Sequence, residues 1–185
     1  DPVGDQSEPQ APYVTSEPGA PDEPRIGELS EGEVLRRILR RLGEASSALV
    51  GPGDDAAVIA APDGRVVVTT DTLVHGPDFR LAWSSPFDIG WKAAAVNLAD
   101  VAAMGARPTG LVVALAVPTH LPVSFVEGLA DGLRAACDAL SPGCTVVGGD
   151  LTSSDTLTIA VTAFGSLDGV EPVLRSGARP GDLLA

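Results

Sequence analysis

Residues 85–117, SPFDIGWKAAAVNLADVAAMGARPTGLVVALAV, hold a helix, its stop and a strand in one continuous stretch. Ser85-Pro86 is a helix opening, because proline fits the first turn where its missing N–H is not needed. Asp88 falls where a carboxylate favours the helix dipole, and Gly105 supplies the stop. Between them, Ile89–Met104 is apolar nearly all round, with Lys92, Asn97 and Asp100 the only polar side chains. That pattern predicts a helix buried on most sides. Leu111–Val117 then reads as a buried strand.

Working toward the N-terminus, Ser30 and Glu33 make a capping box ahead of a helical stripe of Val34, Leu35, Ile38, Leu39 and Leu42. Arg36, Arg37, Arg40 and Arg41 occupy its other side. A solvated face near the negative end of the dipole explains them better than an anion-binding patch. Gly43 is a plausible end. An apolar run at Ala56–Ala60, a Pro62-Asp63-Gly64 turn and the β-branched run Val66–Thr70 follow. Toward the C-terminus, Pro122–Leu140 reads as a helix, Thr145–Val147 as a short strand and Thr156–Phe164 as an alternating strand. The order helix, strand, strand, helix, strand, helix, strand, strand predicts an α/β (α+β) domain, a mixed sheet layered with helices.

Composition bounds the partners. The 185 residues carry 25 acidic against 12 basic side chains, a net charge of −13, with Lys92 the one lysine. Such a surface repels nucleic acid and anionic membranes, and no uncharged apolar run approaches the roughly 18 residues of a membrane span. Residues 1–24 hold six prolines and six acidic residues and read as a disordered acidic tail without signal-peptide character. The remaining −7 belongs to residues 25–185. Cys137 and Cys144 form no disulfide framework or zinc motif and read as packing residues in a reduced cytoplasmic setting. The chain reads as a piece of a longer one: a domain over 25–170, then the start of a second over 171–185.

The aspartates carry the chemistry. Asp54 and Asp55 follow Gly51-Pro52-Gly53, Asp71 closes Thr69-Thr70-Asp71, and Asp150 closes Gly148-Gly149-Asp150. Carboxylates placed at strand ends converge at one sheet edge and suit Mg²⁺, a hard cation that takes oxygen ligands and phosphates. Singly, each Gly-Asp pair is equally a turn or cap. Asp100, inside the apolar helix, needs a metal or a partner. Its residues leave both open, with Asn97 one turn earlier placed to orient it and Lys92 too far along the helix for contact. There is no Walker-type loop or dinucleotide fingerprint, and His75 and His120 have no nucleophile at triad spacing. An acidic nucleotide-using protein with one lysine would neutralise phosphates with metal ions.

The sequence resembles the thiamine-monophosphate kinase family of the aminoimidazole ribonucleotide synthetase superfamily. The resemblance rests on Gly27-Glu28, Gly53-Asp54-Asp55-Ala56-Ala57 and Thr69-Thr70-Asp71-Thr72-Leu73-Val74. It continues through Lys92-Ala93, Asn97-Leu98-Ala99-Asp100, Ala102–Ala106 and Gly148-Gly149-Asp150 to Arg175-Ser176-Gly177-Ala178-Arg179-Pro180-Gly181-Asp182. It implies an aminoimidazole ribonucleotide synthetase N-terminal-like domain that moves the γ-phosphoryl of ATP onto thiamine phosphate by direct in-line transfer. Asp55, Thr69, Thr70, Asp71, Asp100 and Asp150 match positions that hold several Mg²⁺ ions. Gly149, Asp150 and Arg175 match nucleotide contacts. No general base is implied, since phosphoryl transfer depends on positioning and charge neutralisation. The resemblance further implies a cytoplasmic homodimer whose N-terminal sheets join into a barrel. The family's His-Phe pair, whose histidine meets the thiamine phosphate, is Asp78-Phe79 here. Alternatives are another ATP-using enzyme of the superfamily, although no cysteine precedes Cys137 as a selenophosphate synthetase requires, or a non-catalytic nucleotide-binding or dimerisation module.

Overall fold

Reciprocal caps start the first two helices in the computed structural model, which describes residues 23–53 and 56–183. The Glu33 carboxylate accepts from the Ser30 N–H at 2.9 Å and hydroxyl at 2.6 Å, opening α1 (Glu31–Leu42). Ser85 and Asp88 do the same for α2 (Pro86–Ala103), where the Asp88 N–H also donates back to Ser85 Oγ at 3.2 Å. These side chains satisfy amide donors that the first helical turn leaves without partners. The bonds hold the Asp88 and Glu33 carboxyls below their usual range.

The remaining elements are β1 (Ala48–Val50), β2 (Val58–Ile59), β3 (Val67–Val74), β4 (Arg107–Val117), α3 (Val123–Leu140), β5 (Val146–Ser153) and β6 (Thr158–Ser166), with short 3-10 turns at Ile26–Glu28 and Arg175–Gly177. The main sheet runs β3-β6-β4-β5. β6 is antiparallel to both β3 and β4, while β4 and β5 are parallel and joined through α3. The sheet is therefore mixed, as the element order implied. β1 and β2 form a separate antiparallel pair. β1 escaped the sequence reading because three residues are too few to show a period.

One sheet face carries Leu111, Leu115, Val117, Ile159, Val161 and Ala163, all buried beneath the helices. α2 packs over β3, β6 and β4, with α3 against α2 and α1 against α3. Two glycines set how closely α2 and α3 approach. A Cβ on Gly90 would strike the Leu129 carbonyl, and one on Gly132 would strike the Phe87 carbonyl. The helices thus meet backbone to backbone.

Two features differ from expectation. Glu23 and Pro24 belong to the fold: Glu23 Oε1 accepts from the Ser124 N–H at 2.9 Å and the Pro24 carbonyl from the Val123 N–H at 3.0 Å, so together they cap α3. The rest of the predicted tail, residues 1–22, lies outside the described residues. The arginine face of α1 is not simply solvated either. Arg37 and Arg41 reach Glu127 of α3 at 3.4 and 3.3 Å, and Arg41 also reaches Asp131 at 3.2 Å.

Candidate functional site

β3 and α2 bring the first group of oxygens together. Thr69 Oγ1 donates to Asp100 Oδ2 at 3.2 Å, and strand alternation puts Asp71 on the same helix-facing side of β3. Asp71 is not at a strand end. Thr72, Leu73 and Val74 continue β3, paired residue for residue with β6, and Leu73 is buried. Asp100 is exposed, contrary to the reading of α2 as buried on most sides. The buried stripe is Ile89, Gly90, Ala93, Ala94, Asn97, Leu98 and Val101; the small outward alanines look apolar in sequence but need no cover. Asp100 therefore carries no burial cost that a metal must offset.

Three neighbours have partners that the sequence did not indicate. Thr70 faces the opposite side of the sheet, where Oγ1 donates to the Val161 carbonyl at 2.9 Å and accepts from the Thr162 hydroxyl at 3.2 Å. Asn97 is 1% exposed, donates Nδ2 to the Ala93 carbonyl at 3.0 Å and makes no bond to Asp100. Its Oδ1 has no partner among the described residues. Lys92 reaches away from Asp100 and donates Nζ to the Asp78 carbonyl at 2.7 Å. The Asp78 carboxylate itself accepts from the Val74 N–H at 2.8 Å, closing the turn after β3. His75, beside this turn, stacks edge-on against Phe79, and partial burial together with Arg80 lowers its pKa, which leaves it neutral at pH 7. Lys92 thus joins Arg80 as a cation at this turn, a placement that sequence spacing alone did not single out.

The second group lies at the far edge of the sheet. Gly148-Gly149-Asp150 sits within β5, not after a strand as expected, because pairing with Val112, Val113 and Ala114 of β4 carries the strand through. A Cβ on Gly149 would strike the Val113 carbonyl, so this position requires glycine. The registers define one row, Asp71–Val161–Val113–Gly149, and the next, Thr72–Ala160–Ala114–Asp150. Within one chain Asp71 and Asp150 therefore occupy opposite edge strands and opposite faces, not a shared sheet edge.

Beside β5 opens a cleft of about 800 Å³. Leu35, Ile38 and Leu39 of α1, Leu129 and Leu133 of α3, and Gly148–Leu151 of β5 line it. Its walls are apolar, and Gly149 and Asp150 bring polar backbone and a carboxylate to its margin. Asp54 and Asp55 lie outside the described residues, but Gly53 and Ala56 on either side of them both line the cleft. Arg175 is exposed on the C-terminal 3-10 turn. Among the described residues no three His, Cys, Asp or Glu side chains gather closely enough to hold a metal by themselves, and no helix is long and apolar enough to cross a membrane.

Residues 53–167 match the model for AIR synthase related protein, N-terminal domain. The chain is 46% identical over 166 residues to a thiamine-monophosphate kinase of Mycobacterium tuberculosis strain H37Rv, covering 90% of this chain and 49% of that one. It is 49% identical over 166 residues to the Corynebacterium glutamicum enzyme of the same name, covering 88% and 48%. The chain thus spans about half the length of these curated relatives. Among solved structures, thiamine-monophosphate kinase from Stenotrophomonas maltophilia K279a aligns with a TM-score of 0.60 at 40% identity, covering 74% of this chain and 42% of that one. A structure described as AaThiL complexed with AMPPCP and TMP aligns at 0.53 and 31%, covering 76% and 43%. The mixed sheet, its helix layer and the sequence match agree: this chain belongs to the AIR synthase related family, and residues 53–167 are its N-terminal domain.

Proposed function

We propose that the chain is the N-terminal part of a thiamine-phosphate kinase, which transfers the γ-phosphoryl of ATP in line to thiamine phosphate, giving thiamine diphosphate and ADP. The observation that carries this reading is 46–49% identity to enzymes of that name across the residues that build both oxygen groups.

The donor set fits Mg²⁺. The Thr69 hydroxyl, the Asp71 and Asp100 carboxylates and, at the cleft, Asp150 are hard oxygen ligands. Mg²⁺ commonly takes one or two carboxylates and completes its shell with water and phosphate. Asp55 and Thr70 complete the proposed set, Thr70 through its main chain because its hydroxyl is engaged elsewhere. When bound, such ions neutralise phosphate charge that a protein with one lysine cannot neutralise by itself. The apolar cleft accepts the adenine ring, with Gly149 bringing main chain close to the nucleotide and Asp150 standing at the phosphate end. Arg175 adds a cation to the ATP phosphates. Lys92 supplies positive charge at the Asp78 turn, where the acceptor phosphate docks. No side chain here is needed as a strong base.

Two further parts belong to the proposal. The relatives are about twice as long, so residues 171–185 open a second domain that completes the nucleotide site. The family's homodimer, formed in the cytoplasm, is built on the helix-free sheet face and its edges. A coupled assay of ADP release with ATP, Mg²⁺ and thiamine phosphate tests the whole. The chain extended to its relatives' length turns over, and the 185-residue chain alone binds Mg²⁺ weakly and turns over little. Robust turnover by the short chain overturns the half-site reading, and ADP release from the long chain only with other acceptors favours another enzyme of the superfamily. Sedimentation showing only monomer at tens of micromolar, a concentration at which a standard-sized interface of about 1,600 Å² holds together, removes the dimer.

A further inference from the structure

Past Ser166 the chain leaves β6 and runs to Leu174 without helix or strand, yet its main chain is held at three places. The first is a turn. Asp168 and Gly169 take φ +49° and +87°, and the Val170 N–H closes the turn on the Leu167 carbonyl at 3.0 Å. Arg107, at the start of β4, grips the Asp168 carboxylate with Nε and Nη2 at 3.0 and 3.1 Å, and the Ser166 hydroxyl donates to it at 2.8 Å. The second hold comes from the turn before β3, where Arg65 Nε and Nη2 donate to Asp63 Oδ2 at 3.1 and 2.8 Å. As a unit the two residues take the passing chain. Asp63 Oδ2 accepts from the Gly169 N–H at 3.2 Å, Arg65 Nη2 donates to the Val170 carbonyl at 3.0 Å, and Arg65 Nη1 stands 3.6 Å from Glu171. The third is at the end of α2. There the Val173 N–H donates to the Met104 carbonyl at 3.0 Å, and a Cβ on Gly105 would come within 2.9 Å of the Val173 side chain.

Core stability does not explain these holds. The Arg65 and Arg107 side chains are 41% and 53% exposed, and ion pairs in that setting contribute little. Val170, Val173 and Leu174 are exposed as well. What the holds fix is a path. Met104 stands four residues after Asp100, on the same side of α2 and one turn of about 5.4 Å further on. Arg175 follows Val173 by two residues, a reach of roughly 7 Å. The path thus carries Arg175 from the end of β6 to the turn of α2 that adjoins the Thr69–Asp100 pair.

We propose that Asp63, Arg65 and Arg107 are positioning residues, which strap residues 167–174 against the domain so that Arg175 meets the nucleotide phosphates at the β3 edge. The inference rests on the phosphoryl-transfer reading, in which Arg175 is the cation on those phosphates. It adds the reason an arginine on an irregular segment can serve there: the segment is fixed beforehand, so little freedom is lost when phosphate arrives. The three residues do not touch phosphate themselves and act through Arg175.

Hydrogen exchange on the 185-residue chain reads the strap itself. Arg65→Ala should speed exchange at the Gly169 and Val173 amides by at least about tenfold and leave the α2 and β4 amides unchanged. In a chain extended to its relatives' length, the same variant should raise KM for ATP about fivefold, with KM for thiamine phosphate unchanged and Tm within about 2 °C of wild type. Arg175→Ala should raise KM for ATP about tenfold. Adding Arg65→Ala to it should raise KM no further, because a positioning effect vanishes with the residue it positions. Arg107→Ala, which releases Asp168, should follow Arg65→Ala and keeps the test decisive if that variant does not fold. Effects that multiply in the double variant, an unchanged KM for ATP, or Gly169 and Val173 amides that exchange as in wild type overturn the proposal. A wild-type extended chain that releases no ADP from ATP overturns the phosphoryl-transfer reading and this role for Arg175 with it. The exchange measurement needs no activity, so the two failures are told apart.

Discussion

The two edges of the main sheet are built from opposite materials. At the β3 edge, Thr69, Asp71 and Asp100 expose oxygen to solvent, and nearby Lys92 is fixed on a main-chain carbonyl. At the β5 edge, leucines and valines of α1, α3 and β5 enclose an apolar cleft whose polar features are glycine backbone and one aspartate. A nucleotide has the same division between an anionic tail and a flat, weakly polar base. The comparison teaches that, within one chain, the described aspartates do not form one cluster: Asp71 and Asp100 stand at the β3 edge, and Asp150 stands at the margin of the apolar cleft.

The sharpest way to break this comparison is to remove the oxygens of one edge. In a chain extended to its relatives' length, Asp71→Asn with Asp100→Asn should lower kcat by about 10³-fold, with little change in Tm because Asp100 is exposed. Mg²⁺ titration of turnover checks it, and full activity would show that the β3 edge is not a phosphate site. Next in size, Gly149→Ala should cost about 3 kcal/mol, since its Cβ meets the Val113 carbonyl. Urea unfolding measures that, and the same variant should weaken nucleotide binding while leaving Mg²⁺ binding at the β3 edge intact. Equal loss at both edges would merge them into one site.

How far these edges were legible in sequence differs between them. α2, α3 and β4 declared themselves through caps and long apolar runs, and the mixed sheet followed from element order. Strand order did not, and strand order is what sends Asp71 and Asp150 to opposite edges. Gly148-Gly149-Asp150 reads as a strand end because glycine and aspartate are turn residues; only the β4 partner, unknowable from the local sequence, carries β5 through them. Asp100 was misplaced because alanine is hydrophobic by composition yet indifferent to exposure. Lys92 was missed as a cation of the Asp78 turn because its acceptor is a carbonyl, which every residue has.

Smaller effects sharpen the β3 side. Lys92→Met should raise KM for thiamine phosphate about tenfold with kcat little changed, the scale of one lost charged hydrogen bond; an unchanged KM would free the Asp78 turn from any role with the acceptor. Smallest is Ser85→Ala, which should cost about 1 kcal/mol through the N-cap of α2. Its pH dependence has a definite sign. Asp88 has a folded pKa depressed by Ser85, and Asp168 one depressed by Arg107 and Ser166. Their contribution is present above the unfolded value of about 3.9 and lost as pH falls through the lower folded values. Tm measured from pH 6 downward should fall in that acid window, and Ser85→Ala should flatten part of the decline.

The glycine contacts between α2 and α3 have a mechanical consequence. With Gly90 lodged under the Leu129 carbonyl and Gly132 under that of Phe87, the two helices cannot slide past one another without backbone collision. α2 carries Lys92 and Asp100, and α3 carries Leu133 in the wall of the distant cleft. They act as a single lever with one arm in each region, so an occupant that shifts α3 must also reposition the carboxylate at the other edge of the sheet.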